Sequence, residues 1–284
     1  MKDKILFISD EVYPDYMSDT MFHGGRSVLG ESFIDSKRIN FMYDDYCGYR
    51  NLYGRGFTLY GKLDSKLEID REDIENKIKD KYFKTIMYGS CRRKLEYLEL
   101  VRKSYSKNEI IFIDGEDHQG IDFTLANYGN YFKRELLHNP KNIIPIQFAI
   151  PKENIIKCKP TKTNEFGTVI PYKKETYIFH DEKSYFEDYQ KSYYGITCKK
   201  QGWDCLRHYE IMMNHCFPLF KDIKDCPKMT MVKFPKKKII KAMHDLDLNK
   251  FDYYDEFMEE LMEIVANKLT TEKMITYVLN CIKC

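Results

Sequence analysis

The sequence predicts an α/β protein of two domains that enclose a cleft and end in a helical C-terminus. Strand-like apolar segments alternate with helical segments through the first half, and this alternation is typical of a parallel sheet with crossover helices. The chain has 284 residues, and two domains of roughly 140 residues each match the usual domain size. Residues 151–175 turn polar and form a candidate linker. We therefore predict domains over residues 1–150 and 151–284.

The first half contains four predicted strands with helices between them. The strands are the apolar segments KILFISD, FTLYGKL, FKTIMYGS and EIIFIDGED. Helices are predicted over residues 18–29, after Asp70 and over residues 93–104, and a strand-like stretch over residues 142–150 follows. In such a sheet, ligands collect at the carboxyl ends of the strands. Polar residues follow three of these ends, at positions 9–11, 89–93 and 114–118.

The second half is predicted to continue with strands and helices before a long helical end. The strands are TYIFH, YGITCKK, FPLF and MTMVKF, with helices near residues 184–192 and within GWDCLRHYEIMMNHC. The chain is nearly all helical from Pro235. An apolar stripe over residues 251–269 has helical spacing and predicts core packing rather than a ligand site. The basic run PKKKIIK predicts the solvated face of a helix.

The composition excludes several classes of protein. There are 46 basic and 44 acidic side chains, a net charge of +2, so no global charge favours nucleic acid as a partner. The N-terminus lacks the features of a signal peptide, and no apolar run reaches the roughly 18 residues of a membrane span. We expect no transmembrane segment.

Cysteine usage predicts a reducing compartment. The nine cysteines are scattered rather than set at the spacings of a disulfide framework, so we expect reduced thiols and a cytoplasmic location. Cys281 and Cys284 form a CxxC pair at the end of the chain. No second pair or histidine partner is nearby in sequence, and we interpret the pair as incidental rather than as a metal or redox site.

The segment GWDCLRHYEIMMNHCFPLF raises the strongest functional hypothesis. Its apolar residues recur at three- and four-residue steps, which predicts a helix packed on the core. Arg207 and Glu210 fall on the other face, and Lys199 and Lys200 precede the positive end of the helix dipole. Such an end attracts a diphosphate, arginine pairs with phosphate, and glutamate accepts hydroxyl hydrogens from a sugar. The alternative is an Arg–Glu pair that only stabilises the helix.

RHYEIMMNHCFPLF resembles the donor-binding segment of GT-B glycosyltransferases, particularly the exostosin-like and group 1 families. Arg207, Glu210, Cys216 and Pro218 match the family's Arg-x-x-Glu and Gly-Cys-x-Pro pattern by spacing, with His215 in place of the glycine. The second acid of the family has no counterpart, since position 202 is glycine. The segments DYMSDTMFHGGRSVLG, LYGRGFTLYG, IIFIDGEDH and NYFKREL are similar to uncharacterised glycosyltransferase-like proteins.

The resemblance implies a GT-B-like fold in which two Rossmann-like domains face each other across a cleft. It implies that the N-terminal domain binds the acceptor and the C-terminal domain binds a nucleotide sugar, whose sugar moves to a hydroxyl of a glycan or other acceptor. By this resemblance Glu210 contacts the ribose, while Lys199, Lys200 and Arg207 hold the phosphates. Because GT-B enzymes commonly work without a bound divalent ion, it also implies no cofactor and no essential metal.

Asp117 and His118 are the predicted catalytic residues. They follow a strongly apolar strand, and a carboxylate or an imidazole can take the proton from a sugar hydroxyl. The alternatives are a metal cluster formed with the neighbouring acids, or turn residues that cap the helix after Gln119. His180 and its two acidic neighbours end TYIFH and are weaker candidates for the donor site.

Two basic or glycine-rich segments complete the candidates. Lys133 and Arg134 are predicted to neutralise the donor phosphates, with a solvated edge strand as the alternative. The glycines Gly24 and Gly25, between His23 and Arg26, permit close approach of a phosphate or an acceptor, but tight packing against the sheet is the interpretation that we favour.

Two other functions remain open at this stage. One is a non-catalytic binding module that keeps the GT-B-like shape, which His215 and the missing second acid favour. The other is a sugar transferase that acts on modified nucleic acid, which predicts a basic, aromatic groove. The sequence has 23 tyrosines, but its charge balance makes nucleic acid the less favoured partner.

Overall fold

The computed structural model describes residues 3–48, 51–248 and 251–282. The predicted α/β class is confirmed, since two parallel sheets are packed with helices. The larger sheet has six strands in the order β2-β1-β3-β4-β5-β6. These strands are β1 (Ile5–Ile8), β2 (Phe33–Asp35), β3 (Thr85–Tyr88), β4 (Ile110–Asp114), β5 (Asn130–Lys133) and β6 (Ile143–Pro145).

Four helices accompany this six-stranded sheet and cover both of its faces. They are α1 (Tyr16–Leu29), α2 (Ile74–Lys79), α3 (Leu98–Ser104) and α4 (Phe123–Tyr128). In β1, Leu6 and Ile8 belong to the apolar cluster that contains α2 and α3, while Ile5 and Phe7 belong to the cluster on the other face with α1. Burial on both faces explains why the strands are continuous apolar runs.

The smaller sheet has three parallel strands in the order β7-β8-β9. It contains β7 (Asn164–Phe166), β8 (Ser192–Thr197) and β9 (Phe217–Phe220), with the helices α5 (Glu182–Lys191) and α6 (Leu206–Met213). The chain then forms α7 (Lys236–Asp247), α8 (Tyr254–Lys268) and α9 (Thr271–Cys281). One apolar cluster runs from the α1 face of the larger sheet to β9 and these last helices, so the two sheets share a core.

The last helix returns to the first half and packs against α1. A Cβ at Gly24 would overlap the backbone of Thr271 at the start of α9, and a Cβ at Gly25 would overlap the ring of Phe33 on β2. His23 bonds to the Thr271 hydroxyl at 2.9 Å. Both glycines are therefore explained by close packing.

Three predicted strands are wrong. FTLYGKL forms turns because Thr58 and Gly61 within it have φ values of 76° and 67°, and Gly54, Arg55 and Gly56 just before it also have positive φ; such left-handed residues cannot continue a strand. TYIFH lies in coil after a short 3-10 turn, with Phe179 packed on Tyr185. MTMVKF forms turns, with Met231 at φ 53°.

Other expectations agree with the structure or fall partly outside it. Lys237 and Lys238 of α7 are exposed while Ile239 is buried, as expected of a solvated helix face. No helix within the described residues combines the length and the apolar composition needed to cross a membrane. The cysteines at positions 47, 91, 158, 198, 205, 216 and 226 are free thiols, and Cys284 of the CxxC pair lies outside the described residues.

Candidate functional site

A cavity of about 790 Å³ lies between the two sheets. Its walls come from the segments that follow the carboxyl ends of strands in both sheets, which is where α/β folds bind ligands. From the first half they are Tyr16, residues 53–55, Phe57, Asp117 and Phe148. From the second half they are Val169, Tyr172, Tyr177, Phe179, Tyr185, residues 200–202 and 204–207, and Glu210.

Aromatic rings and cations dominate these walls. The rings of Tyr172 and Tyr177 each lie 5.8 Å from the Lys200 ammonium, and the Tyr177 ring lies 5.1 Å from the Arg207 guanidinium. Arg55 adds a third cation from the opposite wall. Aromatic faces stack on planar or sugar rings, and the cations supply positive charge for an anionic group. The cavity is therefore suited to a ligand that carries both a ring system and a negative charge.

Glu210 is held by hydroxyl groups from both halves of the chain. Its Oε1 accepts a hydrogen bond from Thr58 Oγ1 at 2.5 Å, and its Oε2 accepts one from the Tyr185 hydroxyl at 2.7 Å. Burial raises the pKa of Glu210, and these bonds with the Arg207 charge offset only part of the effect. Both oxygens of the carboxylate therefore accept hydrogen bonds from protein hydroxyls.

Arg207 projects from the first turn of α6 into the same cavity. Its Nη2 donates to the Tyr177 hydroxyl at 3.1 Å, whereas its buried Nε has no hydrogen-bond partner within the described residues. No side chain caps α6, and the His208 N–H of its first turn donates to the Cys205 carbonyl, so the N–H groups of Leu206 and Arg207 remain for an anion. The guanidinium stays charged at any ordinary pH. An anion in the cavity would satisfy donors that are otherwise unpaired.

The two lysines before α6 differ in position. Lys200 lines the cavity beside Tyr172 and Tyr177, but Lys199 does not. The Lys199 ammonium lies over the Trp203 ring at 5.2 Å, and its side chain is exposed. The structure thus brings Lys200, Arg207 and Glu210 together and leaves Lys199 outside.

Asp117 lines the cavity from the first half and pairs with Arg134. Arg134 is 1% exposed and lies behind the wall, where its Nε donates to the Gly115 carbonyl at 2.9 Å and its Nη1 to the Asp204 carbonyl at 2.5 Å. Arg134 therefore holds Asp117 and joins the two halves rather than facing the ligand space. His118 is exposed and does not line the cavity; its Nδ1 accepts from the Gly120 N–H at 3.0 Å.

Lys133 lies inside the fold. Its ammonium donates to Asp114 at 2.9 Å and to the Glu116 carbonyl at 3.0 Å, and its side chain has no exposed surface. Burial lowers the pKa of Lys133, against the opposing effect of the Asp114 charge. The interpretation as a solvated edge strand is wrong, because β5 pairs with a strand on each side. Lys133 does not line the cavity.

Asp204 is a buried acid that also lines the cavity and that the sequence did not predict as a site residue. Asp204 accepts from the Phe148 N–H and from the Tyr209 hydroxyl, both at 2.7 Å, and its own N–H donates to Glu135 at 2.9 Å. Burial raises the pKa of Asp204 to about 6, against the opposing charge of Arg134. These bonds fix the start of α6 to the first half. Its proximity to α6 in sequence is the only signal that could have identified it.

The described residues contain no group of three or more histidine, cysteine, aspartate or glutamate side chains arranged to hold a metal ion. Comparison of the sequence with protein-family models and with curated proteins finds no match in either. The functional argument therefore rests on the chemistry of the cavity itself.

Proposed function

We propose that the protein is a GT-B-like glycosyltransferase that binds a nucleotide sugar in this cavity and transfers the sugar to a hydroxyl of a glycan or another acceptor. The observation that supports the proposal is the convergence of Lys200, Arg207 and Glu210 on one aromatic cavity at the strand ends of both sheets. In this proposal each sheet is the centre of one Rossmann-like domain. The cavity is the cleft between them.

The donor side of the cavity has a distinct role for each residue. Lys200, the Arg207 guanidinium and the first turn of α6 hold the diphosphate. Glu210 accepts the ribose hydroxyl hydrogens. Since Thr58 and Tyr185 already donate to this carboxylate, we propose that a ribose hydroxyl takes the place of the Thr58 hydroxyl. The exchange keeps the buried carboxylate hydrogen-bonded throughout.

Asp117 is the proposed base, because it is the acid of the predicted catalytic pair that reaches the cavity. The acceptor oxygen bonds to the anomeric carbon as the bond from that carbon to the phosphate oxygen breaks. The proton of the acceptor hydroxyl passes to Asp117, and the nucleoside diphosphate leaves with the electron pair. Positive charge from Lys200 and Arg207 stabilises the leaving diphosphate. Arg134 acts as a positioning residue, since it holds Asp117 from behind the wall.

A non-catalytic binding module is the second candidate. Both Glu210 oxygens are occupied by protein hydroxyls, and Asp117 is engaged by Arg134. A protein that only binds a glycosylated or nucleotide ligand needs no free base. The two candidates therefore differ in turnover and not in ligand binding.

A thermal-shift screen against UDP, GDP, CMP and ADP sugars, with and without manganese, tests binding, since a ligand of the folded state raises its melting temperature. We expect a shift with one nucleotide class that is smaller in Glu210→Gln than in wild type and unchanged in the matched variant Glu187→Gln on the outer part of α5. Asp117→Asn should keep the shift and lose turnover. No shift with any nucleotide sugar contradicts the proposal, and a shift that requires manganese contradicts its metal-free form. Binding without turnover of any tested acceptor favours the binding module.

A further inference from the structure

A second cavity, of about 940 Å³, is lined by α7, α8, α9 and the loop before α7. We call it the lysine groove. Seven lysines line it: three at residues 236–238 in the first turn of α7, Lys228 and Lys233 in the loop before it, Lys268 at the end of α8 and Lys273 at the start of α9. No aspartate or glutamate is among its lining residues in the described part of the chain. The groove is therefore cationic along all of its sides.

Most of this charge is not neutralised by the protein. Lys238 pairs with Glu260, and Lys236 donates to the carbonyls of Pro227 and Thr230. The structure gives no ion pair for Lys228, Lys237, Lys268 or Lys273 within the described residues. The whole chain has 46 basic and 44 acidic side chains, so the accumulation is local. Ammonium groups gathered in one concave site repel each other more than they would on an open surface.

The position of three lysines adds to this repulsion. Lysine is favoured in the last turn of a helix, because the first turn already carries the positive end of the helix dipole. In α7 residues 236–238 occupy the first turn, and no side chain caps that end. An anion in the groove would relieve both effects.

We propose that the lysine groove binds a compact ligand that carries one or more phosphate groups, either as a free molecule or as the headgroup of an anionic lipid. The volume is that of a small-molecule site. Single-stranded nucleic acid is disfavoured because its binding uses exposed aromatic faces, whereas Phe234 is buried and the Tyr277 ring is covered by the Lys233 ammonium at 4.7 Å. This site shares no residue with the cavity between the sheets. A failed test of either site therefore leaves the proposal for the other unaffected.

The test measures binding of tripolyphosphate by calorimetry, and sedimentation with phosphatidylcholine vesicles with and without phosphatidic acid. The variant Lys237→Gln/Lys268→Gln/Lys273→Gln removes three exposed charges with no ion pair in the described structure. Its matched control, Lys103→Gln/Lys107→Gln/Lys141→Gln, changes three exposed lysines that line neither cavity. Melting curves confirm that both variants fold.

We expect the first variant to weaken binding about tenfold or more, since three favourable charge interactions with the phosphate groups are lost together, while the control changes it little. If the first variant loses tripolyphosphate binding, the site binds a free phosphorylated ligand. Loss of phosphatidic acid-dependent sedimentation alone assigns it to a lipid headgroup. The proposal is overturned if neither probe binds, if the control loses as much as the variant, or if only a single-stranded oligonucleotide binds.

Discussion

Thr58 combines a left-handed backbone conformation with a buried hydrogen bond to Glu210, and substitution separates their contributions to stability. It is fully buried, its φ is 76°, and its hydroxyl donates to Glu210. Its backbone N–H and carbonyl bond to Glu182 and Asn154, both at 2.8 Å. Those backbone bonds survive any substitution, so the variants Thr58→Ala and Thr58→Gly lose the same hydroxyl and differ mainly in backbone preference.

The expected magnitude follows from the two contributions. Losing a buried hydrogen bond to a charged partner costs about 1.5–3 kcal/mol, and both variants bear this cost. At an ordinary position alanine is the more stable of the two by about 1 kcal/mol, but a left-handed residue other than glycine costs about 1–2 kcal/mol. We therefore expect Thr58→Gly to be as stable as Thr58→Ala, or more stable by up to about 1 kcal/mol.

Urea unfolding followed by circular dichroism measures both free energies of unfolding. The matched control is Thr276, which is exposed within α9; there alanine should exceed glycine by about 1 kcal/mol. The difference between the two sites should thus be about 1–2 kcal/mol. If alanine exceeds glycine by the same amount at both sites, Thr58 is not held in a left-handed conformation and the reasoning is refuted.

Three further predictions concern buried groups. The folded pKa of Asp204 is about 6, above the ordinary aspartate value of about 3.9, so the folded state keeps this proton to a higher pH than the unfolded state does. As the pH rises from about 4 to about 6, the free energy of unfolding should therefore fall by up to roughly 3 kcal/mol. Urea unfolding at several pH values should show a smaller fall in Asp204→Asn. Gly24→Ala should lower the free energy of unfolding by about 1–3 kcal/mol, measured by urea unfolding, because the added methyl overlaps the backbone of Thr271. Lys133→Met should cost about 3–5 kcal/mol in the same measurement, because the Asp114 carboxylate is left buried without its partner.

Each of these has an outcome that contradicts it. Equal pH slopes in wild type and Asp204→Asn would mean that Asp204 has an ordinary pKa in the folded state. Ser27 is exposed on the same helix as Gly24. An equal loss of stability in Ser27→Ala would mean that this helix is sensitive to substitution in general. If Lys133→Met keeps its stability but loses the nucleotide-dependent thermal shift, Lys133 contacts the donor as the sequence predicts.

The elements that the sequence predicted well are those with a strong local period. The helix α6 and the strand β9 follow from the spacing of apolar residues in one segment. The strand predicted at FTLYGKL failed because three glycines, Gly54, Gly56 and Gly61, lie in or beside an apolar run and have positive φ. Such glycine density is a turn signal, and here it should have outweighed the apolar residues.

The candidate site depends on contacts that no local period encodes. The sequence places Lys133 at the donor phosphates or on an exposed edge strand, because the acid that allows its burial, Asp114, is on another strand 19 residues earlier. Thr58 and Tyr177 reach Glu210 and Arg207 from loops, where side-chain direction follows from backbone turns rather than from spacing. Sequence alone therefore predicts Arg207 and Glu210 but not their partners.

In the proposed function, the binding free energy gained at Glu210 and at Arg207 depends on the hydrogen bonds that each residue already makes. At Glu210 a ribose hydroxyl would replace the Thr58 hydroxyl, so one charged hydrogen bond is exchanged for another and the net gain is small. At Arg207, which lines the cavity, a phosphate oxygen can bind the guanidinium beside the bond from Nη2 to the Tyr177 hydroxyl, without breaking that bond. Diphosphate recognition should therefore contribute more affinity than ribose recognition. Glu210 then acts mainly in specificity, because a ligand without the hydroxyl donor leaves a buried carboxylate unsatisfied once Thr58 has moved.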